Sequence, residues 1–205
     1  MKYILQIVLM WAVATGAAAQ EVIQLPAPRT DIGVSVVQAM KDRKSSRTFA
    51  QTPVSQEDLS LILWAACGIN RPDKKLLTTP TAINAQDISV YVCNAKGVYL
   101  YEAAPNTLKK VSDSDIRASL ATRQEAMKNA PVFLLLVSDY SKFRQNGELY
   151  GPMDAGYVSE NICLMCAALG LNTVPRAMMD KEAVAAAIPL SEGQKLMLNH
   201  PIGHP

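Results

Sequence analysis

The densest polar cluster of the chain is Arg43-Lys44-Ser45-Ser46-Arg47, which follows an apolar pattern of helical spacing and precedes Thr48-Phe49. In an extended backbone Arg43, Ser45 and Arg47 share one side; in a helix Arg43 and Arg47 share a face at i, i+4. Either way two guanidiniums and a hydroxyl converge, which suits a phosphate or another dianion. The same residues also suit a solvated basic turn after a helix, where cations meet the C-terminal dipole. A second candidate is Thr78-Thr79-Pro80-Thr81-Ala82-Ile83-Asn84-Ala85-Gln86. Its small side chains let backbone approach a flat ligand, and Asn84 and Gln86 can each donate and accept at a ring edge; alone it reads equally well as an ordinary loop. Thr173-Val174-Pro175-Arg176-Ala177 and the closing Asn199-His200-Pro201-Ile202-Gly203-His204-Pro205 say little more than turn by themselves.

Cys163-x-x-Cys166 is a possible redox or zinc pair, with His200 and His204, the two histidines of the chain, as the further ligands zinc would need. A redox pair should open a helix, where the dipole lowers the thiol pKa, and this pair lies mid-helix. Buried core thiols are the favoured reading, for Cys67 and Cys93 also. The chain has no G-x-S-x-G, P-loop, G-x-G-x-x-G or H-E-x-x-H. Two terminal histidines leave little room for a Ser-His-Asp hydrolase, so an enzyme of this sequence should rely on a bound cofactor.

These residues sit in 205, enough for one domain, and 49% hydrophobic content supports a core. A mean hydropathy of +0.07 argues against disorder. A net charge of +2 argues against nucleic acid as a partner. Lys2, a nearly unbroken apolar run over residues 4–19 and the exit Gly16-Ala17-Ala18-Ala19 read as a signal peptide over 1–19. That predicts an exported, periplasmic protein without stable membrane insertion after cleavage; an uncleaved anchor is the alternative. Removing Lys2 lowers the net charge to +1.

Residues 20–30, with Pro26 and Pro28, read as an extended lead-in, and 31–205 as one domain. Ile32, Val36, Val37 and Met40 recur at helical spacing. Ser55-Gln56-Glu57-Asp58 opens a second helix, with Leu59, Ile62, Leu63 and Ala66 on its apolar face and Gly68 at its end. Strands are predicted over 88–93 and 98–101 around an Asn94-Ala95-Lys96-Gly97 turn. A helix follows over 113–129, with Ile116, Leu120 and Met127 inward. The apolar run 131–137 reads as a strand buried on both faces. Helices over 154–171 and 180–188 and a strand over 195–202 complete an α+β fold, a mixed sheet with helices packed against it. Residues 143–151 are a candidate loop over the site.

In this order the pieces resemble the nitroreductase family of flavin enzymes. Arg43-Lys44-Ser45-Ser46-Arg47 resembles its early R-R-S-x-R element. Leu61-Ile62-Leu63-Trp64-Ala65-Ala66-Cys67-Gly68-Ile69-Asn70-Arg71 is similar to a stretch of the azoline- and thiazoline-oxidase-like subgroup. Pro80-Thr81-Ala82 with Asn84-x-Gln86 resembles the P-S-x-x-N-x-Q loop. Asp154-Ala155-Gly156 through Ala168-Leu169-Gly170-Leu171 resembles the central helix, and Pro201-Ile202-Gly203-His204-Pro205 the closing P-x-G-Y-P.

The resemblance implies a mainly antiparallel sheet and a homodimer with FMN between protomers. Arg43, Lys44 and Ser45 would hold the phosphate end, and Arg47 would lie near the pyrimidine edge of the ring. Pro80, Thr81, Ala82 and Asn84 would come from the second protomer. Val174, Pro175, Arg176 and Ala177 would bring backbone N–H groups to the ring. The implied activity is an FMN-dependent oxidoreductase passing hydride from a reductant such as NAD(P)H to a nitroaromatic, quinone or similar small acceptor. The alternative is an exported flavin-binding protein without nicotinamide-dependent turnover. Three departures stand out. Thr81 replaces the usual Ser. Leu77 stands where the azoline-oxidase subgroup often has Arg. The sequence ends at Pro205, where many relatives continue to a basic residue, so weaker FMN binding is expected.

Overall fold

The computed structural model describes residues 20–205; the signal-peptide reading of 1–19 lies outside the described residues. The strands are β1 (Val22–Gln24), β2 (Ile69–Arg71), β3 (Leu76–Leu77), β4 (Ile88–Asn94), β5 (Gly97–Glu102), β6 (Thr107–Ser112), β7 (Val132–Asp139), β8 (Asn172–Thr173) and β9 (Gln194–Gly203). The helices are α1 (Val36–Asp42), α2 (Gln56–Cys67), α3 (Arg117–Ala121), α4 (Gly147–Ala168) and α5 (Lys181–Ala187). Seven strands form one sheet in the order β1-β6-β5-β4-β7-β9-β8, and β2 with β3 makes a separate ribbon. Every pairing between these strands is antiparallel. Among the described residues no helix is long and apolar enough to cross a membrane.

The central β7 explains the layering. Its side chains alternate, Leu134 and Leu136 to one face and Phe133, Leu135 and Val137 to the other, and all five are fully buried. The first face packs on Ile62 and Leu63 of α2 and on Val158 and Ile162 of α4. The second packs on Leu120, Met127 and Val184. An uninterrupted apolar strand is what a sheet covered on both faces requires. The β4–β5 hairpin closes at the predicted turn: Asn94 Oδ1 accepts from Lys96 N–H at 2.8 Å, and Gly97 adopts φ 130.

Local rules account for most helix ends. Ser55 caps α2 by accepting from Asp58 N–H at 3.0 Å. Gly68 ends α2 by turning to extended backbone (φ −72, ψ 163), where a Cβ would lie 2.4 Å from the Trp64 ring, so glycine is required. At the end of α4, Gly170 is left-handed (φ 67) while Leu171 N–H donates to Cys166 O and Gly170 N–H to Ala167 O, a Schellman closure.

Four expectations are corrected. The predicted helix over 113–129 is the five-residue α3 and a 3-10 turn over Glu125–Asn129, broken at Thr122 (φ 57, ψ −128). Its inward residues are nonetheless buried, and at the break Arg176 donates to the Leu120 and Ala121 carbonyls. Helix α4 begins seven residues before Asp154, absorbing part of the supposed 143–151 loop. Gly147 and Gly151 allow this by leaving space for Tyr140 and Ser138. The extended lead-in is partly a sheet strand: β1 pairs with β6 and delivers Leu25, 3% exposed, to the core. On α1, Val36, Val37 and Met40 are exposed in the single chain, and Ala39 is the buried residue.

Candidate functional site

The cationic segment leaves α1 at Arg43, whose N–H donates to Ala39 O at 2.9 Å. It then runs in irregular extended form along β8 and the end of β9. Ser46 N–H donates to Thr173 O at 3.0 Å, Asn172 Nδ2 to Thr48 O at 2.9 Å, and Ala50 N–H to His204 O at 2.9 Å. Three stretches far apart in sequence are thereby stitched together: 43–50, 172–173 and the closing 203–205.

A cavity of about 350 Å³ lies in this seam, walled by Lys44, Ser46, Cys163, Asn172, Thr173 and Pro205 among others. Lys44 and Ser46 reach it, the alternate positions to those expected to converge. Arg43 is half-buried within electrostatic reach of Cys163, and Arg47 is exposed within reach of Arg176. Among the described residues no carboxylate forms an ion pair with Arg43, Lys44 or Arg47. Lys44 at the cavity, with Arg43 and Arg47 close by in the chain and none of the three in an ion pair among the described residues, makes a donor set for a phosphate or other dianion. Asp42 also borders the cavity, and its carboxylate accepts from Gln38 Nε2 at 2.7 Å.

Arg176 is placed differently from expectation. It is 8% exposed, and its guanidinium donates to Leu120 O (2.7 Å), Asn199 Oδ1 (3.0 Å) and Ala121 O (3.1 Å). Its N–H donates to Asn199 O at 2.9 Å. Both side chain and amide are therefore engaged within the fold. Burial, followed by the charge of Arg47, lowers its pKa. Pro175 and Ala177 on either side are exposed.

The 80–86 loop is not joined to the cationic segment. It is fastened to Asp154 of α4, whose two carboxylate oxygens accept from Ala82 N–H at 3.1 and 2.9 Å. Thr81 Oγ1 accepts from Gln86 N–H at 2.9 Å, so Thr in place of Ser keeps a hydroxyl that organises the loop. Pro80, Ile83 and Asn84 are exposed, and Thr81 and Ala82 half-buried. Asp154 lies nine residues before Cys163, about 14 Å along the helix. The two candidate clusters of one chain are held apart by that length of α4.

The thiol and histidine residues are structural. Cys67, Cys93, Cys163 and Cys166 are free and buried. Burial pushes Cys67 up to about 12 and Cys163 up to about 11, the latter against the pull of Arg43. His200 is fully buried between Ser159 Oγ (3.0 Å) and Thr173 Oγ1 (3.4 Å), and burial lowers it to about 3. Among the described residues no group of three or more His, Cys, Asp or Glu could hold a metal, so the zinc alternative is not assembled.

The model of the family described as the nitroreductase family matches residues 40–204. The chain belongs to the nitroreductase family. Its members include similar chains of wide origin. A protein of Methanocaldococcus jannaschii bearing the name nitroreductase is 26% identical over 175 residues, covering 78% of this chain and 86% of that one. The FMN reductase [NAD(P)H] of Bacillus subtilis is 28% identical over 156 residues, covering 68% of this chain; this chain spans about half of that reductase (53%). A solved structure from Ralstonia eutropha JMP134, also titled a nitroreductase, superposes with a TM-score of 0.83 at 31% identity, covering 89% of each chain. The family is one of oxidoreductases. These comparisons do not assign the chain to the azoline-oxidase-like subgroup.

Two residues of this region were not singled out as site residues. Asp154 was visible as part of the helix motif, but its grip on the Ala82 amide depends on a contact 72 positions away. Asp87 is an acid directly preceding the apolar strand β4, which is the signal that could have drawn attention to it.

Proposed function

We propose that the protein is an FMN-dependent oxidoreductase that works as a homodimer, drawing hydride from NAD(P)H and delivering it to a small acceptor such as a nitroaromatic or quinone. The observation that carries this reading is the run of cations Arg43, Lys44 and Arg47, none of them in an ion pair among the described residues, with Lys44 lining the cavity at the α1–β8 seam. Family membership and the name of the Bacillus subtilis relative support FMN and NAD(P)H.

The residues present fit the cofactor. Lys44, Arg43 and the Ser45 and Ser46 hydroxyls offer charge-assisted donors to its phosphate. When bound, the flavin supplies the hydride-accepting and hydride-donating chemistry that no side chain here provides. Arg47, with buried Arg176 behind it, sets a positive potential that favours an electron-rich ring at that position. Pro80, Thr81, Ala82 and Asn84 serve the ring from the second protomer in this reading, because α4 keeps them away from the cations of their own chain.

The dimer has its own support. Val36, Val37 and Met40 of α1 are 64%, 68% and 58% exposed, and Ile83 is 75% exposed. Leu149, Met153 and Tyr157 recur every four residues on α4 and are also exposed. A surface with this many large apolar residues is covered when a partner docks on it.

Titration with FMN tests the proposal. Wild type is expected to bind one FMN per chain as a dimer, and Arg47→Ala to weaken binding by more than about tenfold, the loss of roughly one charge-assisted contact. A chain that ignores added FMN, or an unchanged Arg47→Ala titration, would contradict it.

A further inference from the structure

The 80–86 loop is held in an unusual backbone conformation. Ile83 (φ 50), Asn84 (φ 58) and Gln86 (φ 47) are all left-handed without being glycine. Such conformations persist only where the surroundings over-determine them. The chief restraint is Asp154, 1% exposed, which accepts twice from Ala82 N–H.

Behind Asp154 lies a second buried acid. Asp87 is fully buried, and its Oδ2 accepts from Ser138 Oγ at 2.5 Å. Its Oδ1 is buried with no hydrogen-bond donor. The neighbouring side chain that can share a hydrogen bond with Asp87 is Asp154. Among the described residues neither acid forms an ion pair with a cation. Two adjacent carboxylates without a counter-ion are unfavourable, and one proton between them removes both problems. Asp87 then donates an O–H to Asp154, which retains lone pairs for Ala82 N–H.

We propose that Asp87 and Asp154 are a proton-sharing pair that latches the 80–86 loop to α4, closed while one proton lies between them and loosened once it leaves. Burial first, and then the hydrogen bond and charge of Asp154, raise Asp87 to about 6 against the Ser138 hydroxyl. The surrounding charges do not reverse this. Tyr140, after β7, is raised by burial and by the charges of Glu148 and Asp87. Asp139 donates its N–H to Asp87 O, while its carboxylate takes Ser141. Lys142 Nζ is taken by Gln86 O at 2.6 Å, which ties down the loop's other end. Asp87 and Asp154 are thus positioning residues. Ser138, which bonds Asp87, also packs against Gly151, one turn before Asp154 on α4, and only the latch's consequence for flavin rests on the function proposed above.

Carboxyl-carbon and amide NMR of the full chain without FMN, from about pH 4.5 to about 8.5, tests the latch. The Asp87 carboxyl is expected to titrate near 6, with the Ala82 amide moving at the same midpoint. In Asp87→Asn, whose amide donates to Asp154 permanently, the Ala82 amide should stay at its acid-side position throughout. Ser138→Ala removes the hydroxyl that favours the charged form and should move the shared midpoint upward. An Asp87 carboxyl titrating below about 4.5, or an Ala82 amide unmoved by pH, overturns the proposal. FMN titration separates the two claims. Affinity falling above the midpoint in wild type but not in Asp87→Asn extends the latch to the cofactor. Intact NMR behaviour with no FMN binding at any pH leaves the latch standing and removes the flavin reading.

Discussion

Replacing Arg176 should unfold the protein before it disturbs any ligand. Its guanidinium is buried and takes three acceptors, Leu120 O, Ala121 O and Asn199 Oδ1, at 2.7, 3.1 and 3.0 Å. Arg176→Ala orphans Leu120 O and Asn199 Oδ1 in residues that are themselves fully buried, while Ala121 O keeps Thr122 Oγ1 and Gln124 N–H. Each orphaned acceptor costs about 1–3 kcal/mol. Relief of burying a cation without a carboxylate partner, and of its repulsion with Arg47, offsets part of this. The net expectation is about 3–5 kcal/mol, the usual range for breaking a buried charged network. For a chain of this size each kcal/mol moves Tm by about 2–4 °C, so the melting temperature should fall by about 10–15 °C. Arg176→Lys should fall in between, since one ammonium replaces the fork that reaches three carbonyl-type oxygens. The assay is thermal unfolding of flavin-free protein beside an FMN titration well below Tm. A drop smaller than about 3 °C, with FMN affinity lost instead, would show that the side chain faces ligand and that the inward geometry is wrong.

Acidification should expose two buried groups that oppose one another. Below its unfolded value His200, lowered to about 3, makes the folded state bind fewer protons than the unfolded and costs stability as pH falls; Asp87, raised to about 6, makes it bind one more and adds stability as pH falls from about 6 to about 4. Urea unfolding should therefore show Asp87→Asn losing about 1.4 kcal/mol per pH unit relative to wild type across that window; parallel curves would refute the assignment. Gly151→Ala should destabilise by about 1–3 kcal/mol, because its Cβ would meet Ser138 Oγ at 2.4 Å and Tyr140 Cε1 at 2.6 Å. Chemical denaturation within about 0.5 kcal/mol of wild type would mean the first turns of α4 do not pack there.

What the sequence revealed and what it hid divide along the range of the interactions. The 88–94 strand, its turn and the apolar 132–139 strand were legible because hydrophobic period and turn chemistry are local signals. Ser55 and Gly170 likewise announced helix ends through side chains within a few residues of them. The 113–129 helix was misread because its pattern of Ile116, Leu120 and Met127 is a true burial pattern. At the break Arg176, more than fifty residues away, donates to Leu120 O and Ala121 O, a contact that no local pattern announces. Helix α4 begins earlier than the apolar pattern over 154–171 implies because Tyr140 and Ser138 fill the space that Gly147 and Gly151 leave, a fit that local sequence does not show. The cationic segment was legible from composition alone, yet the side it presents was not. Alternation put Arg43, Ser45 and Arg47 together, whereas Lys44 and Ser46 line the cavity.

Helix α4 sets the geometry of everything proposed here. Two turns into it Asp154 holds the 80–86 loop; five residues later Ser159 holds His200; four residues further on, Cys163 forms part of the cavity wall. Its Schellman end turns the chain into β8, where Thr173 O receives Ser46 N–H. A helix packed against the sheet over this span is rigid, so the loop and the cations cannot drift together within one chain. A ligand touched by both must either extend along about 14 Å of α4 or lie between two chains. The exposed Ile83 on the loop and the exposed apolar residues of α1 and α4 favour the second arrangement, because they offer apolar surface for a second copy to cover. In the proposed dimer the latch on Asp154 would act in trans: a proton held in one protomer would set the loop that meets a ligand held by its partner.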